Sequence, residues 1–371
     1  VRVRFLDLGA AYEELAPELD QAYRTVMASG RFLFGEQLAA FEEEFAAYAD
    51  AAACAAVGSG FDALALGLRA LGVRPGDEVI VPANTTAITW VAVRSTGAVP
   101  VGVEPREETY TMDPAGLDAA RTSRTRAVVP VHLYGRPADM AAILAWAGER
   151  GVVVLADAAQ AHGARIDGAG IGAVGDAVAW SFYPSKNLGA FADAGCITSE
   201  DPEVIDGARR LRNYGSASRD EIVEIGANSR LDELQAAFLK VRLAHLDDWN
   251  ARRSANAGLY LRELRGLPLT LPPADDDVAE SSWHQFVIRV ADRERLRAEL
   301  GARGVETLVH YRGPPYAQPA LAPLGVEPGA FPIAERLAAE VLSLPVGPHL
   351  GEDRGRLVVE ALAATLGTAG D

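Results

Sequence analysis

Residues 152–164 read VVVLADAAQAHGA. An apolar run without polar alternation predicts a strand buried on both faces. Asp157 closes the run, at the edge where open α/β sheets hold their ligands. A carboxylate there can hold a metal, a ribose hydroxyl or a protonated ring nitrogen. It can equally cap the next helix. The Asp-x-x-Gln-x-His spacing matches no common zinc pattern, so no metal is expected.

Outward from this strand the same alternation recurs. Short apolar runs at Ala53–Val57, Glu78–Val81, Val99–Val103, Ala127–Val131, Ala177–Ser181 and Gly195–Thr198 are separated by helical stretches such as DALALGLRALG and MAAILAWAGERG. Strands alternating with helices predict an α/β fold, with a largely parallel sheet sandwiched by helices. Two helical stretches precede the first strand, and one long helix is predicted from Ser229 to Arg252. Beyond a proline-bearing acidic loop, LPPADDDVAE, come a strand (HQFVIRV), a helix (RERLRAELGARG) and a strand (ETLVHY). The expected organisation is a large domain over residues 1–250 and a small C-terminal α+β domain over 251–371.

The chain has 371 residues and a formal net charge of −16, which argues against nucleic acid or an anionic membrane surface as partner. No run is long and apolar enough to predict a bilayer span, and VRVRFLDLGAAYEEL has no apolar leader core. The two cysteines, Cys54 and Cys196, sit in strand-like runs and are expected to be buried, reduced thiols. A cytoplasmic protein is the resulting expectation.

Two further stretches carry chemistry. VGSGFDALALGL, residues 57–68, is a strand, a Gly-Ser-Gly turn and a helix start, which suits an anion at the free N–H groups. The same turn can be an ordinary connection capped by Ser59, and it lacks the spacing of a dinucleotide fingerprint or a P-loop. SFYPSKN, residues 181–187, contains Lys186, and the only other lysine is Lys240. Solvated positive charge here is left to arginine. A lysine kept beside a strand end points to amine chemistry, because an amine loses its proton when desolvated and a guanidinium does not. An anion cradle, a carboxylate and a lysine at one sheet edge are what pyridoxal phosphate requires.

With these residues in view, PGDEVIVPA, VPVHLYGRPADM, DAAQAHGA, SFYPSKNLGAF, LRNYGS and NSRLDELQAA resemble the DegT/DnrJ/EryC1/StrS sugar aminotransferases, of fold type I among pyridoxal-phosphate enzymes. The resemblance runs from FLDL at 5–8 to VLSLPVGPHL at 341–350, and looks closest to enzymes forming dTDP-3-amino-3,6-dideoxyhexoses. It implies that Lys186 is the Schiff-base lysine, that Asp157 pairs with the pyridine nitrogen, and that Gln160 lies near the ring. It implies phosphate contacts from Ser181 and the backbone of Gly60 and Phe61, with Asn228 reaching the cofactor of a second subunit. A homodimer with active sites at its interface follows, although Asn228 can also be a helix N-cap. Tyr183, Tyr214, Arg219, His310 and Tyr311 match positions lining the nucleotide-sugar pocket. The implied substrates are L-glutamate and a dTDP-keto-sugar aminated at C3, with C4 as the alternative.

Three positions depart from the family pattern. Thr86 stands where relatives place an aromatic ring to stack on the cofactor. Phe61 replaces a smaller residue at the cradle, and FADAGC replaces a glycine-rich run. The family also contains dehydratases with His in place of the lysine, a reading that Lys186 opposes. A catalytically silent relative is the other alternative, kept open by Thr86.

Overall fold

The computed structural model describes residues 2–367. Two helices, α1 (Leu8–Ser29) and α2 (Glu36–Tyr48), precede β1 (Ala53–Val57). There follow α3 (Gly60–Ala70), β2 (Glu78–Pro82), α4 (Ala87–Ser95), β3 (Val99–Val103), α5 (Leu117–Ala120) and β4 (Thr125–Val128). Next come α6 (Met140–Arg150), β5 (Val153–Asp157), the short β6 (Arg165–Ile166) and β7 (Ala169–Gly170), β8 (Ala177–Ser181) and β9 (Gly195–Ser199). The seven long strands form one sheet in the order β1-β9-β8-β5-β4-β2-β3. All neighbours are parallel except β9, which runs antiparallel to both β8 and β1.

The apolar runs bury both faces by strict alternation. Cys54, Ala56, Ile80, Val128, Val154, Ala156, Val178 and Trp180 face one core with α2 and α6. Ala55, Val57, Val79, Val81, Ala127, Leu155, Ala177 and Ala179 face the other, with α3 and α4. A side-chain period of two between two helical layers makes each strand continuous in hydrophobicity, as its sequence is.

The capping of α2 ties distant parts of the chain together. Its N-cap is Gly35, which has no side chain to offer. The buried carboxylate of Glu233 instead accepts from the N–H groups of Gly35 (2.7 Å), Gln37 (2.9 Å) and Leu38 (3.1 Å). Glu233→Ala would strand these donors in a dry site, at a cost of about 2–3 kcal/mol for charge-assisted bonds. Denaturant unfolding is expected to show that loss, with Glu233→Gln recovering part of it.

The segment after β9 holds α7 (Pro202–Leu211) and an exposed hairpin of β10 (Ser216–Ser218) and β11 (Glu221–Ile222). The single helix expected over 229–252 is two helices, α8 (Glu233–Leu243) and α9 (Leu246–Glu263). Asp232 starts α8 by accepting from Gln235 N–H at 2.9 Å, so residues 229–231 stay outside it. Its end tightens, with the His245 N–H bonded to the Arg242 carbonyl at 3.1 Å, three residues back. Leu243 and Leu246, one such turn apart, are both buried.

The expected boundary at residue 250 lies inside α9. β12 (Ala279–Glu280) pairs with β6, while β13 (Phe286–Arg289) pairs with β14 (Val341–Leu344). With α10 (Arg293–Ala302), α11 (Pro332–Glu340) and α12 (Glu352–Leu366) they complete the chain. Tyr260, Phe286, Ile288, Leu296, Leu344 and Val358 form a separate core here, which Val3 joins from the N-terminal segment. ETLVHY is not a strand: it pairs only through isolated bridges, Leu308 to Ser343 and, just before it, Val305 to Val3.

Candidate active site

β5 and β8 are neighbours, with Asp157 paired in register with Ala179, so the ends of both strands open on the same edge. Asp157 is 3% exposed. One oxygen accepts from the Thr89 hydroxyl at 2.9 Å and the other from the Ala159 N–H at 3.1 Å. Burial pushes its carboxyl above the usual range, while these two donors and the charge of Lys186 pull the other way. The carboxylate thus has fixed donors on its protein side and lone pairs left for a cationic N–H. Thr89 was not foreseen; the signal was a hydroxyl in the first turns of a helix starting at this sheet edge.

Lys186 lies in the turn after β8, with its N–H on the Tyr183 carbonyl at 2.8 Å. Among the described residues, no hydrogen bond or ion pair engages its Nζ. Burial lowers the amine to about 8, against the opposing charge of Asp157. The following residue, Asn187, is buried and pins the turn, donating to the Ser282 carbonyl at 2.8 Å and to Asn250 at 2.9 Å.

Ser59 caps α3 by accepting from the Asp62 N–H at 3.1 Å. The N–H groups of Gly60 and Phe61, at the first positions of that helix, have no partner among the described residues. Gly60 is pressed on Ser181 at the end of β8: a Cβ at position 60 would fall 2.4 Å from the Ser181 Cβ. Ser229 completes this corner, donating to Asp62 and accepting from the Gly58 N–H, both at 2.8 Å. Free helix N–H groups beside a serine hydroxyl make an anion site. Together with an unpartnered amine and a buried carboxylate on the neighbouring strand, this donor set fits pyridoxal phosphate. Gly60→Ala is expected to displace Ser181 and weaken cofactor binding tenfold to hundredfold, equivalent to about 1–3 kcal/mol of overpacking. A fluorescence titration of cofactor into the apoprotein would measure it.

Gln160 is held at both ends, accepting from the Tyr134 N–H at 2.7 Å and donating to the Tyr311 hydroxyl at 2.9 Å. Burial raises the Tyr311 phenol to about 12. Thr86 caps α4, so its side chain serves the backbone rather than offering a stacking face. His310 bonds Ser343 at 2.8 Å, and burial lowers its imidazole to about 4. These residues surround the Lys186 edge. Tyr183 stands in the Lys186 turn itself with its side chain exposed, while Tyr214, Arg219 and Asn228, also exposed, lie at the hairpin. The cap role considered for Asn228 is excluded, since α8 is capped by Asp232. Asn228 instead bridges Asn213 at the base of the hairpin, beside Tyr214, whose ring lies 5.2 Å from the Arg230 guanidinium.

Comparison with known proteins matches residues 13–363 to the DegT/DnrJ/EryC1/StrS aminotransferase family. The chain is 52% identical over 362 residues to the erythromycin biosynthesis sensory transduction protein EryC1 of Saccharopolyspora erythraea, covering 98% of this chain and 99% of that protein. It is 51% identical to the dTDP-3-amino-3,4,6-trideoxy-alpha-D-glucose transaminase of Streptomyces venezuelae, covering 97% and 95%. The crystal structure of S. venezuelae DesV in complex with a ketimine intermediate superposes with a TM-score of 0.96 at 51% identity, covering 98% of each chain. Solved relatives include forms holding the cofactor as PLP and as PMP. The chain belongs to the DegT/DnrJ/EryC1/StrS aminotransferase family, whose members work with pyridoxal phosphate.

Proposed function

We propose that this protein transfers an amino group from L-glutamate to C3 of a dTDP-linked keto-deoxysugar, in the biosynthesis of an aminodeoxysugar for a glycosylated natural product. The observation that carries the reading is the full-length similarity to a dTDP-3-amino-sugar transaminase, with Lys186, Asp157 and Ser181 intact.

Lys186, Asp157, Gln160, Ser181 and the N–H groups of Gly60 and Phe61 would hold the cofactor. When bound, pyridoxal phosphate supplies an aldehyde that receives the amino group and a ring that accepts electrons. Ser181 and the start of α3 fix its phosphate. Asp157 keeps its ring nitrogen protonated, and Thr89 fixes the direction of that carboxylate. Gln160, held by Tyr134 and Tyr311, would border the ring. Lys186 would take the proton from the substrate carbon, for which an amine pulled down toward neutrality is suited. His310 and Tyr311 face the sugar from the same chain.

Tyr183 would meet the sugar from the Lys186 turn, whereas Tyr214, Arg219 and Asn228 are exposed around the hairpin, and in this reading they serve the site of a second subunit. Exposed apolar side chains on the N-terminal segment and beyond β8, among them Tyr12, Tyr23, Phe32 and Phe191, support a homodimer. Light scattering of the purified protein tests it. No described helix is long and apolar enough to cross a membrane. The buried free thiols of Cys54 and Cys196 suit a reducing compartment, the cytoplasm.

The deciding experiment starts from the yellow holoprotein. L-glutamate should bleach it, and a dTDP-3-keto sugar should restore the colour and yield an amino-sugar identified by mass spectrometry and NMR. Restoration by dTDP-4-keto sugars alone would refute amination at C3.

A further inference from the structure

A second cavity, of about 160 Å³, lies against the Lys186 turn and is lined in part by Ser185, Arg253, His284, Gln285, His310 and Phe5. Arg253 comes from α9 and is 4% exposed. Its Nη1 makes only two long contacts, 3.4 Å each, to the carbonyls of Trp283 and His284. Its Nε has no partner, and among the described residues no carboxylate pairs with it. The buried Arg212 and Arg242 also have an unpartnered Nε, but their Nη1 groups make shorter bonds than that of Arg253. Arg212 pairs with the buried Glu42, and Arg242 holds the Gly189 carbonyl while lying 4.2 Å from the centre of the Phe191 ring. Burying a guanidinium without a counter-charge costs several kcal/mol, which an anion in the cavity would offset.

The remaining walls set the kind of anion. Asn187 donates through its nitrogen to Ser282 and Asn250, so its oxygen accepts from His284 Nδ1 at 3.0 Å. Burial, with the positive charges of Lys186 and Arg253 nearby, holds the His284 imidazole well below its ordinary value and so favours its neutral form. His310 is neutral as well. The Gln285 carboxamide adds a polar wall with its oxygen unpartnered. The cavity thus offers one positive charge in a planar fork, which matches a carboxylate and gives a doubly charged phosphate too little. The cofactor phosphate already has its own cradle at α3. Ser185, one chain neighbour of Lys186, lines the cavity, and Asn187, the other, holds the wall residue His284.

We propose that this cavity holds the α-carboxylate of the amino donor on Arg253, beside the carbon from which Lys186 takes a proton. The proposal rests on the donor being an α-amino acid, as in the function proposed above. It makes Arg253 a residue of one half-reaction only, because a keto-sugar has no carboxylate to place there.

Rapid-mixing measurements on the holoprotein test this. Bleaching by L-glutamate and by L-alanine should both require tenfold to hundredfold more amino acid in Arg253→Gln, with Arg253→Lys recovering part. Recovery of colour in PMP-loaded protein by the keto-sugar should keep its concentration dependence. A loss confined to glutamate would assign Arg253 to a side-chain carboxylate, and equal losses in both half-reactions would make it structural. Either result overturns the proposal. Crystals of the unaltered holoprotein soaked with α-methyl-L-glutamate give a readout that needs no variant. The α-carboxylate within hydrogen-bonding distance of Arg253 supports the inference, and its placement elsewhere overturns it. A wild-type protein bleached by no amino acid would refute the donor reading itself, and the inference with it.

Discussion

Lys186→Ala should lower turnover by about a thousandfold or more, the combined effect of losing a nucleophile and a positioned base. Borohydride reduction of the wild-type holoprotein should attach the cofactor to the peptide containing Lys186, and reduction of the variant should attach none. Lys186→Arg should be as inactive, because its guanidinium stays protonated throughout the working range. The test is unusually clean in this chain. The one competing side chain, Lys240, is ion-paired with Glu44 at 3.2 Å on the N-terminal helices. A pH dependence accompanies the loss. Burial lowers the Lys186 amine to about 8, so below that pH the protonated form dominates and cannot attack a carbonyl. Uptake of pyridoxal phosphate by the wild-type apoprotein should therefore rise about tenfold per pH unit up to pH 8 and level off above it. A rate independent of pH across that range would contradict the assignment.

Asp157→Asn should cost about a hundredfold to a thousandfold in the donor half-reaction, the scale of removing one preorganised charge from a dry site. The amide keeps the volume, its oxygen can accept from the Ala159 N–H and its NH2 can donate to the Thr89 hydroxyl oxygen, so the fold should hold. What it lacks is the negative charge that keeps a ring nitrogen protonated. Single-turnover bleaching, with circular dichroism as the control for folding, would separate the two. Thr89→Val should show a weaker version of the same defect. It removes one donor that favours the ionised carboxylate and leaves the burial that opposes ionisation.

The parts of this architecture that repeat locally were legible in the chain. Strand runs such as ACAAV and AVAWS announce themselves because both faces are dry, and Asp157 and Lys186 follow from their place at strand ends, whereas Ser181 was implied only by the resemblance. Lys186 stood out before any relative was considered, simply because lysine is so scarce. The misreadings have a common cause. The break at Ala244–His245 and the loss of a strand at 306–311 depend on what lies across the fold from them. Neither leaves a turn residue to mark it. The same holds for Thr89 on Asp157 and for Ser229 on Asp62, 167 residues apart, where the partner's identity exists only in three dimensions. Asn228 illustrates the limit from the other side. Its sequence context suited a cap, and the actual cap, Asp232, lies four residues on.

The Glu233 cap has a consequence for the order in which the protein can form. Its carboxylate serves the Gly35 N–H across 198 residues of chain. During synthesis at roughly 5–20 residues per second, α2 must wait on the order of 10–40 s for its cap to emerge. The β1–β9 pairing waits about three quarters as long, since Ala53 meets Ser199. Until then the apolar faces of α2 and β1 lack the neighbours that bury them. The N-terminal fifth of the chain is thus the part made earliest and among the last to be secured, and it is the natural client for a chaperone that binds nascent apolar segments.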